Sequence, residues 1–335
     1  MITTPIMLRM QTNDSQPAAC GPPAVSVIIP AYNAAKFIAE TLDSVLAQTF
    51  VNYEVIVVND GSPDTEQLEQ ILQPYQNRIT YLKQENRGAG AARNAGLKVA
   101  RGKFVAFLDA DDLWLPSFLG EQVAFIQNDE GYDLVYADAE LFGDPSRARG
   151  TVMQREPSEP PVTFERLIGE QCIVNTSSVL ALREPILEVG LFDESLRNSQ
   201  DFDLWVRLAK RPNARMNFQR KVLVRHRVWS GSLASDGIKS VEGELKVLDK
   251  VSRRNDLTPS ERNTLAQTVA LRSASVEVDR GKRKLLHGEF HSAADSFRFA
   301  NAYYRSWKLR LVLFSLQVAP RLLQRLYSAR VNQPS

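Results

Sequence analysis

The sequence predicts an α/β fold: a mostly parallel sheet sandwiched by helices, followed by a helical C-terminal extension. Three observations predict it. Short β-branched apolar runs alternate with segments whose apolar residues recur at helical spacing. Asp, Asn and Tyr stand directly after those runs, where strands of a parallel sheet end. Strand signals then cease beyond Asp236, where helical periodicity takes over.

The elements follow in order. Residues 25–30 (VSVIIP) form a continuous apolar run closed by proline, the pattern of a strand buried on both faces. Residues 35–48 place Phe37, Ile38, Leu42, Val45 and Leu46 on one helical face. A second strand at 53–58 (YEVIVV) ends in the turn chemistry Asn59-Asp60-Gly61-Ser62-Pro63, completing a β-α-β unit. A helix at 64–75, a strand at 79–82, a helix at 90–100 and a strand at 104–108 (FVAFL) continue the alternation into Asp109. Tyr32, Asp60 and residues 109–112 are thereby expected on one edge of the sheet, where such folds bind ligands. From 115 to 228 the pattern is mixed: a helix at 117–128, strand-like LVYADAEL and TSSVLALR, and a helix at 202–209. Helices are expected near 241–254, 260–280 and 289–300. The domain expectation is a flexible polar leader over 1–23, an α/β domain over 24–235 and a helical region over 236–335.

Composition narrows the function. A net charge of +2 on 335 residues is too small to suggest a nucleic-acid partner. No window reaches the roughly 18 apolar residues of a membrane span. The two cysteines, Cys20 and Cys172, lie far apart, and Cys172 sits in apolar CIVNTSSVLAL as a buried reduced thiol, so a cytoplasmic location is expected. Residues 305–330 carry six basic and no acidic side chains among many Leu, Val and Phe, divided by Pro320. Such a segment either packs on the preceding helices or makes peripheral contact with the inner face of a membrane.

The strongest chemical signal is FLDADD at 107–112, three carboxylates in four positions directly after a strand. Carboxylates so close repel unless a cation joins them. Mg²⁺ or Mn²⁺ held by one or two carboxylates plus phosphates fits, although Asp also caps helices well. Gly88-x-Gly90 opens a helix, but Arg93 occupies the third glycine position of a dinucleotide loop, and no Gly-x-x-x-x-Gly-Lys phosphate loop occurs.

Six segments in this order resemble the family 2 glycosyltransferases of the GT-A fold, an inverting class: VSVIIPAYN, VVNDGSPD, ENRGAGAARNAGL, FVAFLDADDLWLP, GLFDESL and QDFDLWVRLA. The resemblance spans residues 24–235 and implies transfer of a sugar from a nucleotide-diphosphate donor, a UDP-sugar first, to a hydroxyl of a glycan or lipid-linked acceptor. By that resemblance Pro30, Ala31, Tyr32 and Asn33 border the nucleobase and Asp60 hydrogen-bonds it. Arg93 lies near the base or phosphates, or else is a solvated helix residue. Asp109-Ala110-Asp111 forms the Asp-x-Asp motif, with Asp111 the direct metal ligand and Asp109 nearer ribose or metal. Asp201 matches the catalytic base. Two positions depart from the pattern. Gln200 stands where an acidic residue is usual, and Trp229 where a histidine usually touches metal or phosphate. His226, between Arg225 and Arg227, is expected at the surface. The departures keep open a non-catalytic nucleotide-sugar-binding scaffold of the same fold. A nucleotidyltransferase is disfavoured, because PAYNAAK replaces its glycine-rich loop.

Overall fold

The computed structural model describes residues 21–128, 131–232 and 236–331. Of the leader, residues 1–20 and with them Cys20 lie outside the described residues, as does Ser235 at the expected boundary. The chain divides into two compact units, Met1–Ser232 and Leu233–Ser335.

In the first unit the described strands form one eight-stranded sheet. They are β1 (Val25–Ala31), β2 (Tyr53–Asp60), β3 (Thr80–Gln84), β4 (Phe104–Phe107), β5 (Leu113–Trp114), β6 (Leu134–Gly143), β7 (Val179–Leu182) and β8 (Met216–Val228). Their spatial order is β3-β2-β1-β4-β7-β6-β8-β5. The first four run parallel, so the carboxyl ends of β2, β1 and β4 stand side by side. The other half is mixed: β7 is antiparallel to both β4 and β6, β6 and β8 are parallel, and β5 is antiparallel to β8.

The helices of this unit are α1 (Ile38–Leu46), α2 (Thr65–Leu72), α3 (Ala89–Val99), α4 (Phe118–Ile126), α5 (Val152–Arg155), α6 (Phe164–Ile168), α7 (Arg183–Glu188) and α8 (Gln200–Ala209). The apolar faces of α1 and α2 join the inner residues of β1 and β2 in one core through Ile38, Leu42, Val45 and Leu68. The Gly/Ala richness of ENRGAGAARNAGL has a packing cause. A Cβ at Gly96 would stand 2.6 Å from Ile28 Cγ2, so only glycine lets α3 lie this close to β1. Residues 90–97 of α3 are all buried in consequence.

β8 is the largest element that sequence periodicity does not announce. Its residues MNFQRKVLVRHRV include five cationic or titratable side chains and only partial alternation, yet it pairs with β6 over ten positions. Cys172 is buried and free, as expected, with its Sγ donating to the Glu159 carbonyl at 3.1 Å.

The second unit is helical: α9 (Gly237–Ser252), α10 (Pro259–Leu286), α11 (Phe290–Tyr304), α12 (Trp307–Val318) and α13 (Pro320–Val331). Thr258 and Glu261 close a capping box at the start of α10, with Pro259 in its first turn. Pro320 separates α12 from α13, because a ring at that position removes the N–H a continuous helix needs. No helix of the described residues is long and apolar enough to cross a membrane.

Candidate active site

The loop after β1 and the turn after β2 are tied together. The Asn33 N–H donates to Ser62 Oγ at 2.6 Å and the Ala35 N–H to Asp64 Oδ2 at 2.9 Å. Asn33 adopts a left-handed φ of 53°, and beside it Tyr32 is 54% exposed, beyond the end of the sheet. Ala31 is fully buried and Pro30 half-buried. Asp60 is 2% exposed. Its Oδ1 accepts from Gln84 Nε2 (2.7 Å) and the Arg87 N–H (2.9 Å), and its Oδ2 from the Gly88 N–H (2.8 Å). Asp60 thus clamps the loop that enters α3, and a contact with a base would use lone pairs left over from that clamp.

Arg93 is 4% exposed, which rules out a solvated helix residue. Its Nη2 donates to Asp109 Oδ1 at 2.5 Å, and its guanidinium lies over the Phe192 ring, 5.5 Å from the centroid. Its Nε and Nη1 are buried with no hydrogen-bond partner. An orphaned buried donor costs about 1–3 kcal/mol, a cost that an anionic ligand would remove.

The three carboxylates after β4 diverge. Asp112 is fully buried: its Oδ1 accepts from the Arg227 N–H at 2.7 Å, and its Oδ2 lies 2.9 Å from His226 Nδ1. His226 is therefore no plain surface residue. Burial pulls its pKa down, but the charges of Asp112, Asp109 and Asp111 and the hydrogen bond to Asp112 outweigh burial and raise it to about 9. Asp111 keeps its side chain toward the site, with Oδ2 accepting from Trp229 Nε1 at 2.7 Å. Burial, then the charges of Asp112 and Asp109, push its carboxyl up to about 6 against the pull of Trp229 and His226. Ala110 is buried, and its carbonyl and that of Asp112 accept from the hydroxyl of Thr41 on α1, at 2.9 and 3.0 Å. Among the described residues, no three His, Cys, Asp or Glu side chains gather into a metal-holding group.

Pairing of β5 with β8 explains this arrangement. Leu113 faces Arg225 and Trp114 faces Val224, which lays RHRVW alongside the acidic loop. Trp229, at the position where a histidine was expected, hydrogen-bonds Asp111 and stands edge-on to Phe37, with centroids 5.2 Å apart.

Asp201 begins α8. Its Oδ1 accepts from the Phe202 N–H at 2.9 Å and its Oδ2 from Thr176 Oγ1 at 2.7 Å. The next residue, Ser177, accepts the Asp109 N–H on its Oγ at 3.1 Å. One 3₁₀ turn, Thr176–Ser178, therefore holds Asp201 on one side and the Asp-x-Asp backbone on the other. Asn175 caps that turn, and Trp114 Nε1 donates to the Ser177 carbonyl at 2.7 Å. The strand expected from TSSVLALR starts only at Val179, after this turn. The run NTSS, four side chains able to cap or turn, was the available signal. Gln200, the other departure, packs against α3, where a Cβ on Gly90 would meet its Cγ at 3.2 Å. Its Oε1 is buried and unpartnered.

Residues 26–189 match the profile of Glycosyl transferase family 2. An uncharacterized glycosyltransferase of Rickettsia prowazekii is 34% identical over 229 residues, which span 66% of this chain and 69% of that protein. The chain belongs to glycosyltransferase family 2. A second relative is the Escherichia coli UDP-Glc:alpha-D-GlcNAc-diphosphoundecaprenol beta-1,3-glucosyltransferase WfgD. It is 28% identical over 67% of this chain and 85% of its own length. Among solved structures, the mannosyltransferase PcManGT of Pyrobaculum calidifontis, in complex with GDP-Man and Mn²⁺, superposes with a TM-score of 0.60. It shares 19% identity and covers 93% of this chain and 86% of its own, a likeness of fold. The transferase thus has the GT-A fold of the solved structures it resembles. Relatives with named transferase activities do not favour a non-catalytic scaffold.

Proposed function

We propose that the transferase is an inverting, metal-dependent enzyme that moves a sugar from a UDP-sugar to a hydroxyl of a lipid-linked glycan or growing polysaccharide. The observation that carries this reading is the Thr176–Ser178 turn, because it couples the Asp201 carboxylate to the Asp-x-Asp loop through two adjacent residues. A base for the acceptor and an anchor for the donor are then held by one rigid piece of backbone.

Asp201 serves as the base. Each of its oxygens retains a lone pair beyond the hydrogen bond it accepts, so it can take the acceptor hydroxyl proton while that oxygen attacks the anomeric carbon. A single displacement inverts the configuration. The orphaned Nε and Nη1 of Arg93 support its role toward the donor's anionic or nucleobase oxygens. Tyr32, with Pro30, Ala31 and Asn33, borders the base, and Asp60 acts there mainly by holding the 87–88 loop.

The residues present fit a divalent cation. Burial, then the like charges of Asp112 and Asp109, raise the pKa of Asp111, and its carboxylate supplies hard oxygen. Asp109, neutralised in part by Arg93, is the second oxygen donor. With no three-residue protein cage among the described residues, Mg²⁺ or Mn²⁺ would be held together with the donor's diphosphate. When bound, the cation would neutralise charge on the departing nucleoside diphosphate. A membrane surface is where the helical unit would meet a lipid-linked acceptor.

Calorimetric titration with UDP, GDP and their sugar conjugates, with Mn²⁺ and with a chelator, tests this reading. Selective, Mn²⁺-dependent binding of a uridine nucleotide is expected. Binding that is indifferent to the chelator would remove the metal, and preference for a guanosine nucleotide would replace the donor.

A further inference from the structure

The helical unit carries a second apolar surface that its own packing does not use. On α12, Leu309, Val312, Leu313 and Leu316 pack inward on a core of Leu285, Ala293, Ala294 and Phe297. On the same helix Trp307, Leu311, Phe314 and Val318 stand 67, 56, 61 and 67% exposed. At about 100° per residue these four fall within an arc of roughly 60°, centred about 180° from the inward set. The helix is therefore apolar on two opposed faces, and intramolecular packing accounts for one. Past Pro320, Leu322 and Leu326 of α13 add two more exposed apolar side chains, at 58 and 63%. Soluble monomers rarely expose a row of large apolar side chains of this extent.

Charge says what the face fits. Lys308 and Arg310 flank the α12 stripe on either side, and Arg321 and Arg325 are exposed beside the α13 pair. Between 305 and 330 there are six basic and no acidic side chains. A hydrophobic protein partner would be served by the apolar row alone. An apolar row whose charged neighbours along the segment are all cations matches a bilayer with anionic headgroups, where apolar side chains enter the acyl boundary and Lys and Arg stay at headgroup level. Trp307, at the start of α12, has the amphipathic ring favoured at that depth.

We infer that the outer face of α12 and α13 is a membrane-docking surface for anionic lipid, with Trp307, Leu311, Phe314, Val318, Leu322 and Leu326 entering the interface. The inference deepens the membrane contact in the function proposed above, and it does not depend on which donor or metal is used.

The test is co-sedimentation of the full chain with vesicles of phosphatidylglycerol and phosphatidylcholine, and with vesicles of phosphatidylcholine alone. Binding is expected to the mixed vesicles, with a blue shift of Trp307 emission. Phe314→Ser with Leu322→Ser should lower the partition coefficient at least about tenfold. Arg321→Gln with Arg325→Gln should lower it about fivefold per charge in low salt and less in high salt. All four positions are exposed, and circular dichroism checks that the variants fold. No binding to mixed vesicles, or binding that the apolar variants leave unchanged, overturns the inference. So does concentration-dependent self-association without lipid that the apolar variants abolish, because the face would then belong to a second copy. Nucleotide binding is titrated in the same preparations. Donor binding without vesicle binding sinks the docking surface alone, and vesicle binding without donor binding sinks the transfer assignment alone.

Discussion

Replacing Thr176 by Val tests whether the turn that joins Asp201 to the Asp-x-Asp loop matters for turnover. The change keeps a β-branched side chain at a buried position and removes one donor, the hydroxyl 2.7 Å from Asp201 Oδ2. A hydrogen bond to a charged group contributes about 1.5–3 kcal/mol. If that energy fixes the aim of the base in the transition state, the rate falls about 10- to 150-fold at 1.36 kcal/mol per decade. Asp201 is partly exposed, so water can solvate the oxygen left behind, and the stability loss should stay near about 1 kcal/mol. The assay is release of nucleoside diphosphate from the donor, with nucleotide affinity measured separately by calorimetry. Asp201→Asn alone should cost about 10²–10⁴. The double variant should be no slower than Asp201→Asn, because the hydroxyl acts only through that carboxylate. A double variant slowed by the product of the two single effects would refute the coupling. A Thr176→Val protein that loses nucleotide affinity as much as rate would show that the turn serves the donor instead.

Three further outcomes are expected. Asp111→Asn should abolish the Mn²⁺-dependent part of nucleotide binding, and calorimetry showing undiminished affinity with Mn²⁺ would remove Asp111 from the metal site. Gly61→Ala should destabilise by about 1–3 kcal/mol, because φ is +63° and the added Cβ would stand 2.5 Å from the Asn86 backbone nitrogen. Thermal melts should show a loss of about 2–4 °C per kcal/mol, and an unshifted Tm would contradict the geometry. His226 gains its proton more readily folded (about 9) than unfolded (6.5), so its stabilising pair with Asp112 is complete below pH 6.5 and is lost as pH rises through 9. Between those limits Tm should fall more steeply in the parent than in His226→Asn, and parallel profiles would sink that pairing.

Part of the candidate site was legible in one dimension, because its residues follow strands. Apolar runs at 25–30, 53–58 and 104–108 announce β1, β2 and β4, and parallel neighbours bring Tyr32, Asp60 and Asp109 to one edge. Helix signals were equally local: the amphipathic faces of α1 and α8. Such features are set by neighbours within a few residues, so periodicity suffices to read them. Only tertiary structure decided what each polar side chain does there. Three adjacent aspartates look alike in sequence. The fold buries Asp112 under His226 and Arg227, pairs Asp109 with Arg93 across 16 residues, and leaves Asp111 to the site under the indole of Trp229, 118 residues away. β8 escaped the pattern because its side chains are stabilised by partners on β5 and β6 rather than by regular alternation, and the Thr176–Ser178 turn escaped because its role exists only through Asp109 and Asp201. Local periodicity records which face of an element is apolar. The partner of a buried polar group is chosen by packing between distant segments, and no spacing along the chain encodes it.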